Sequence, residues 1–224
     1  MSQAETDQGD NKRLLDRMIF FSDAVFAIAL TLLVLELRPP QAAQGDEAGL
    51  WTGFAGLAPN LVAFLISFAL AGGWWLVHMS ATRSLQRFDW PTAICNLLFL
   101  LWIALFPFAA AFFGANIWSA AALAVYWIIA GGAAFSMTLM QFVMTRGGGK
   151  LVGGQTGRQR LGLLLMTLAP ALAFTLCAWS AIAGHLAWAR FGWVVMLPAF
   201  VIAPLLMRPA KAKPAKAPKL RAQA

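Results

Sequence analysis

The sequence predicts an all-α, polytopic membrane protein with six transmembrane helices per chain, and three observations carry that expectation. Of 224 residues, 60% are hydrophobic and only 12% are charged, with a mean hydropathy of +0.70. A soluble domain carries roughly 45–50% apolar and about 25% charged residues, so a solvated globular surface is excluded. The same composition excludes disorder except at the ends. Apolar runs of about 20 residues, the length that crosses a bilayer, recur along the chain, which has room for six. The basic residues are also sorted. A net charge of +8 would suggest nucleic acid in a soluble protein, but here 15 of the 17 Lys and Arg fall at alternate ends of the runs. That is the pattern of positive residues held on the cytoplasmic face, and no nucleic-acid partner is expected.

The elements follow in order. Residues 1–17 are polar and mixed in charge, and form a cytoplasmic N-terminal segment. They are no signal peptide, because no small-residue cleavage site follows. The first apolar run is 18–37, ended by a polar loop with Pro39, Pro40, Asp46 and Glu47. The second, 54–79, is closed by Arg83, Arg87, Asp89 and Pro91. The third, 92–114, turns tightly at Gly114 and Asn116 into the fourth, 117–144. A glycine-rich basic loop from Arg146 to Arg160 leads to the fifth run, 161–184, and the sixth, 188–207. Residues 18–207 thus form one transmembrane domain, and 208–224 a basic, disordered cytoplasmic tail. The tail either lies against anionic lipid or serves only as a topological anchor. Counting basic residues puts both termini in the cytoplasm of a multi-pass protein of the cell's inner, or plasma, membrane.

Intramembrane polar residues are costly, at least about 2.5–3.5 kcal/mol for a charge on insertion scales, so each needs a reason. Ser22 and Asp23 lie near the cytoplasmic end of the first helix, with Arg17 at the headgroups before them. His78 follows Trp74 and Trp75 near the cytoplasmic end of the second helix, and Asn96 begins the third. These residues share one depth and predict a buried polar network tying three helices together. It is either a gate or proton-sensitive element, or a hydrogen-bonded pin that fixes helix positions. His78 and Asn96 are the expected partners of Asp23, with Arg17 at longer reach.

Other patterns carry less. His78 and His185 lie on opposite sides and cannot share a metal, and Cys95 and Cys177 make neither a disulfide framework nor a zinc site. GGGKLVGGQTG resembles a phosphate loop only in glycine content, and reads as a flexible loop. Gly72, Gly73, Gly131 and Gly132 are expected at close helix contacts, and the many Phe and Trp at lipid or the interface. No Ser–His–Asp set, HExxH or paired acids occur within the membrane, so no enzyme activity and no cofactor are expected.

The first helix is distinctive. At 100° per residue counted from Phe21, Ala24, Val25, Ile28, Thr31, Leu32 and Leu35 fall within about 60° of one line, and Asp23 falls on the opposite side, about 160° away. One smooth stripe, aliphatic apart from Thr31, therefore stands opposite one polar anchor. With the anchor held by the second and third helices, the stripe faces either lipid or a symmetry axis.

The run RMIFFSDAVFAIALTLLVLEL, with its Phe21-Ser22-Asp23 core, resembles the signature of the transmembrane protein 175 family of potassium channels. The stretch HMSATRSLQRFDWPTAICNLLFLLWIALFPFAAAFFG is similar to that family's second-to-third-helix region, with matching His78, Asn96 and Pro107. The resemblance covers residues 13–114; the last three helices match in number and length. It implies a homotetramer of six-helix chains whose first helices surround a pore without a carbonyl-lined filter. It also implies that K+ is the permeant ion and that the constriction lies at Ile28, with Thr31 one turn outward and Leu32 and Leu35 beyond. Arg17, Phe21, Ser22, Asp23, His78 and Asn96 would form the inner packing or gating network.

The leading expectation is a passive, potassium-preferring channel. A secondary transporter is the competitor, and would need an ionisable or unwound site at mid-membrane and an internal repeat, which is not seen. A third reading is a non-conducting scaffold or sensor. The charge distribution makes its own prediction. A single cysteine at Gln44 is expected to react with a membrane-impermeant thiol reagent from outside, and one at Gly154 only after permeabilisation. Labelling of both from the same side would overturn the topology.

Overall fold

The computed structural model describes residues 3–149, 151–153, 156–199 and 202. Among these the chain is all-helical: α1 (Gln3–Leu35), α2 (Glu47–Gly56), α3 (Ala58–Thr82), α4 (Trp90–Ala115), α5 (Ala120–Gly149), α6 (Gly157–Ile182) and α7 (Leu186–Phe191), followed by a 3₁₀ turn (Gly192–Met196). Among the described residues five helices are long and apolar enough to cross a membrane: α1, α3, α4, α5 and α6. The predicted sixth run begins as the shorter apolar helical segment Leu186–Ala199. The predicted basic tail, 208–224, lies outside the described residues.

Helix α1 begins well before its apolar run. The polar segment continues the helix because it contains no proline and because tertiary contacts hold it. Leu15 is buried, and Asn11 Oδ1 accepts a hydrogen bond from the Phe88 backbone N–H at 2.7 Å. The exposed Asp10–Arg13 pair, 3.6 Å apart, adds little.

The predicted polar loop after α1 contains an additional helix. Asp46 caps α2, its Oδ1 accepting from Gly49 N at 2.8 Å. No residue of α2 is buried, and Trp51 and Phe54 are exposed. Pro59 falls in the first turn of α3, where its missing N–H costs no bond, so the chain breaks at Leu57 and restarts.

Helix α4 is capped by Asp89, whose Oδ2 accepts from both the backbone N–H (3.1 Å) and the hydroxyl (2.8 Å) of Thr92. The same carboxylate takes Arg146 of α5 at 3.0 Å. Helix α5 runs on through Arg146 and ends where Gly149 takes φ +76°, a left-handed conformation that favours glycine. The expected flexible loop is locally packed after that. Leu151 and Val152 are buried, and Leu151 O accepts from Gln86 N at 3.0 Å. Thr156 and Gln159 form a capping box that starts α6.

Helix α5 sits centrally: 67% of its apolar window is buried, against 22% in α1. It packs on α4, α6 and α7, whereas α1 packs on α3 and α4. The core is more aromatic than the sequence suggested. Phe26, Phe99, Phe106, Tyr126, Trp127 and Phe174 are buried rather than turned to lipid. Trp127 and Phe174 stack at 5.1 Å, Trp127 Nε1 donates to Ala189 O at 2.7 Å, and the Tyr126 and Ser67 hydroxyls lie 3.1 Å apart.

The glycines divide. Gly131 stands in ordinary contact range of Phe174 and Thr175, and a Cβ on Gly132 would lie 2.5 Å from the Trp102 indole. Gly72 and Gly73 have open space where a Cβ would go, so within the single chain they do not mediate the expected close helix contact. We therefore expect Gly132→Ala to lower stability by about 1–3 kcal/mol through overpacking, and Gly72→Ala to leave it unchanged or raised. Thermal unfolding in detergent checks both. Equal melting of Gly132→Ala and wild type would contradict the close packing.

Candidate functional site: the two faces of the first helix

Helix α1 buries Ser22, Phe26, Ala29 and Leu33, a spacing of four, three and four residues that draws one seam along the helix. The seam lies against α3 and α4. At the end of the bundle that carries the α3–α4 connection, the contact becomes polar. Asn96 Nδ2 donates to Ser22 Oγ at 2.9 Å, and Asn96 Oδ1 lies 2.8 Å from His78 Nε2. Ser22 Oγ in turn donates to Met18 O at 2.8 Å. These bonds fix each role. The Ser22 hydrogen is committed to the backbone, so Ser22 accepts from the Asn96 amide. The Asn96 carbonyl is then left as an acceptor, and His78 must donate through Nε2–H. All three side chains are at most 1% exposed.

Aromatic rings enclose this chain. His78 stacks on Phe99 at 5.7 Å and 14°, and Phe26 leans on His78 at 5.8 Å. Thr82 Oγ1 donates to His78 O at 2.9 Å. The structure thus brings Ser22, His78 and Asn96 together.

Asp23 is placed differently from the expectation. Its Oδ1 accepts from the Trp75 indole N–H at 3.0 Å, and not from His78 or Asn96. Trp75 stands one turn before His78 on α3, so α3 reaches Asp23 directly through Trp75 and reaches Ser22 only by way of His78 and Asn96. The sequence held the signal, since Trp75 is a donor at the required depth, but its indole read as interfacial. Arg17 and Phe21 do not join the set. Both are exposed, and among the described residues no ion pair involves Arg17.

The opposite face of α1 is uncovered in the single chain. Ile28 is 59% exposed, Leu32 41% and Leu35 68%, with Thr31 exposed between them. From Ile28 to Leu35 the face runs about 10 Å along the helix axis. Thr31 Oγ1 lies 2.9 Å from Ala27 O and 2.8 Å from Ile28 O. Its one hydrogen is committed to the helix, so the oxygen can act outward only as an acceptor. That suits a cation and offers nothing to an anion. Among the described residues no group of three His, Cys, Asp or Glu side chains is placed to hold a metal ion.

Removing Asn96 would leave both Ser22 and His78 without their side-chain partner. Asn96→Leu is expected to cost about 1–3 kcal/mol, read as a lower melting temperature in detergent. His78→Phe combined with Asn96→Leu should cost less than the sum of the two, because the paired groups leave together. Strict additivity would show that the hydrogen bond between them contributes nothing. Trp75→Phe should destabilise less, since Asp23 is only part-buried.

Residues 17–107 match the family model described as endosomal/lysosomal potassium channel TMEM175. A protein named a potassium channel from Chamaesiphon minutus is 39% identical over 95 residues, covering 42% of this chain and 47% of its own. One of the same description from Streptomyces collinus is 36% identical over 95 residues, covering 42% and 45%. The chain therefore spans about half the length of these curated relatives. In fold, it superposes with a TM-score of 0.70 on the crystal structure of a lysosomal potassium-selective channel TMEM175 homolog from Chamaesiphon minutus. That match is at 22% identity and covers 85% of this chain and 98% of the other. The matched segment holds α1 from Arg17 onward, α2, α3 and most of α4, and with them the whole Ser22–Asn96–His78 chain and the exposed face of α1. Over that segment the chain resembles the TMEM175 family in sequence, and over most of its length it shares the fold of a TMEM175 homolog.

Proposed function

We propose that the protein is a passive, potassium-preferring channel, built as a homotetramer of six-span subunits with both termini in the cytoplasm of the plasma membrane. Four copies of α1 surround the axis, with Ile28 as the narrowest ring and Leu32 and Leu35 as further apolar rings. One observation carries this reading: α1 holds its back to α3 and α4 through buried polar bonds and leaves an aliphatic face broken only by Thr31. Thr31 keeps an oxygen acceptor on that face, which suits contact with a cation or water more than with lipid.

The mechanism follows from ion hydration. Four aliphatic side chains around an axis offer a cation no ligands, so it passes with part of its water shell removed or when the constriction wets. Potassium is larger than sodium and binds its waters less tightly, so the same ring costs it less. Selectivity from such a ring is weaker than from a carbonyl filter. Thr31 supplies four oxygen acceptors one turn beyond Ile28, where a partly dehydrated ion gains most from them. K+ is the permeant ion and no cofactor takes part.

The helices favour a channel over a transporter. α1, α3, α4, α5 and α6 are each continuous through the described residues, and Asp23, the acidic group nearest the network, is engaged by Trp75. The site lacks the unwound segment that a transporter uses to hold its ion.

Ile28→Asn is expected to conduct more and select less in planar bilayers bathed by asymmetric KCl and NaCl. Leu172→Asn, on an exposed part of α6, should behave as wild type. If the Ile28 variant keeps wild-type conductance and reversal potential, Ile28 does not line the pore.

A further inference from the structure

A cleft of about 750 Å³ opens beside the α4–α5 turn, between α3 and the α5–α7 side of the bundle. Ile66, Ala69 and Leu70 of α3 form one wall, and Tyr126 and Trp193 lie on the other. It lies apart from the exposed face of α1, none of whose residues lines it. Its volume falls in the range of about 300–1,000 Å³ that small-ligand sites occupy. The lining is apolar except for Arg190.

Arg190 is half-buried, and its guanidinium carbon lies 4.7 Å from the centre of the Trp118 ring, which also lines the cleft. Stacking occupies the flat face of the guanidinium and leaves its N–H edge free to grip an anion. Among the described residues no carboxylate stands within ion-pair distance of it. Both groups sit at the end of the bundle where α4 turns into α5, and Trp188 and Phe191 are exposed beside them. Such aromatic residues mark the headgroup level of a membrane. From Val62 to Leu70 the α3 wall descends about 12 Å from that level.

We propose that this cleft holds an anionic phospholipid, its phosphate on the Arg190 edge and one acyl chain along the α3 wall. Charge and shape select this occupant together. A free anion would satisfy Arg190 but leave the apolar wall empty, and a zwitterionic lipid would fill the wall but bring its own cation, which competes with Arg190 for the phosphate. The proposal requires only that the helices lie in a membrane, so it stands or falls separately from potassium conduction.

The test is lipid retention by the purified full-length protein, delipidated and offered phosphatidylglycerol and phosphatidylcholine in equal amounts, read by native mass spectrometry. The wild type should retain phosphatidylglycerol in preference, and inorganic phosphate should not displace it. Arg190→Gln should lower that preference about tenfold, the loss expected for a charge-assisted hydrogen bond. Ala69→Phe, which narrows the cleft far from the charge, should lower retention of both lipids. Equal retention of the two lipids by the wild type would overturn the proposal. So would an unchanged preference in Arg190→Gln, unchanged retention in Ala69→Phe, or retention of neither lipid by the wild type, the outcome if a second copy of the chain fills the cleft.

Discussion

Helix α1 has two faces, and the hydrogen-bonded chain Ser22–Asn96–His78 decides which of them is the back. In hydrocarbon a polar side chain must find its partner within the protein. Ser22 has one partner in Asn96 and Asn96 has one in His78, so rotating α1 by a single residue would move Ser22 by about 100° and break the chain. Transmembrane hydrogen bonds average only about 0.6 kcal/mol, so the chain contributes more to geometry than to stability. The rings of Phe26 and Phe99 pack against it, and its three side chains are buried. Once that rotation is set, the direction of Ile28, Thr31, Leu32 and Leu35 follows.

The rest of the bundle supports this arrangement. Helix α1 packs on α3 and α4, and α4 is held from behind by α5. Asp89 joins several of these elements: it caps α4 through Thr92 and takes Arg146 from α5. One residue earlier, the Phe88 N–H reaches Asn11 on the polar extension of α1. The α3–α4 connection is thereby bonded to both the first helix and the central one. A short series of named bonds thus links α5 to α1 at that end.

Much of this was legible in the sequence because membrane helices obey simple counting. Antiparallel runs and a fixed rise place Ser22, His78 and Asn96 at one depth without any coordinates, and a 100° step separates Asp23 from the stripe. Counting depth does not assign partners, which is why Asp23 was matched to His78 and Asn96 when the indole N–H of Trp75 is what reaches it. Composition likewise does not single out the aromatic residues that are buried. Phe99, Phe106 and Phe174 are as apolar as any lipid-facing residue, and only the packing of α4 against α5 and α6 reveals them as core. Helix α2 was hidden by the prolines and acids before it, although Asp46 with Gly49 is a capping signal. The end of α5 was hidden by its glycines. A run of glycine reads as loop, yet the helix persists until Gly149 takes the left-handed turn.

The central claim is that the uncovered face of α1 meets copies of itself around an axis. Cysteine cross-linking tests it most directly. Cys95 and Cys177 are buried and would be replaced by alanine, and a single cysteine introduced at Leu35. On mild oxidation in native membranes this protein should form disulfide-linked dimers in high yield. A cysteine at Leu172 on α6 should stay monomeric under the same conditions. A Leu35 cysteine that remains monomeric while the Leu172 control cross-links would place α1 at the periphery and contradict the account.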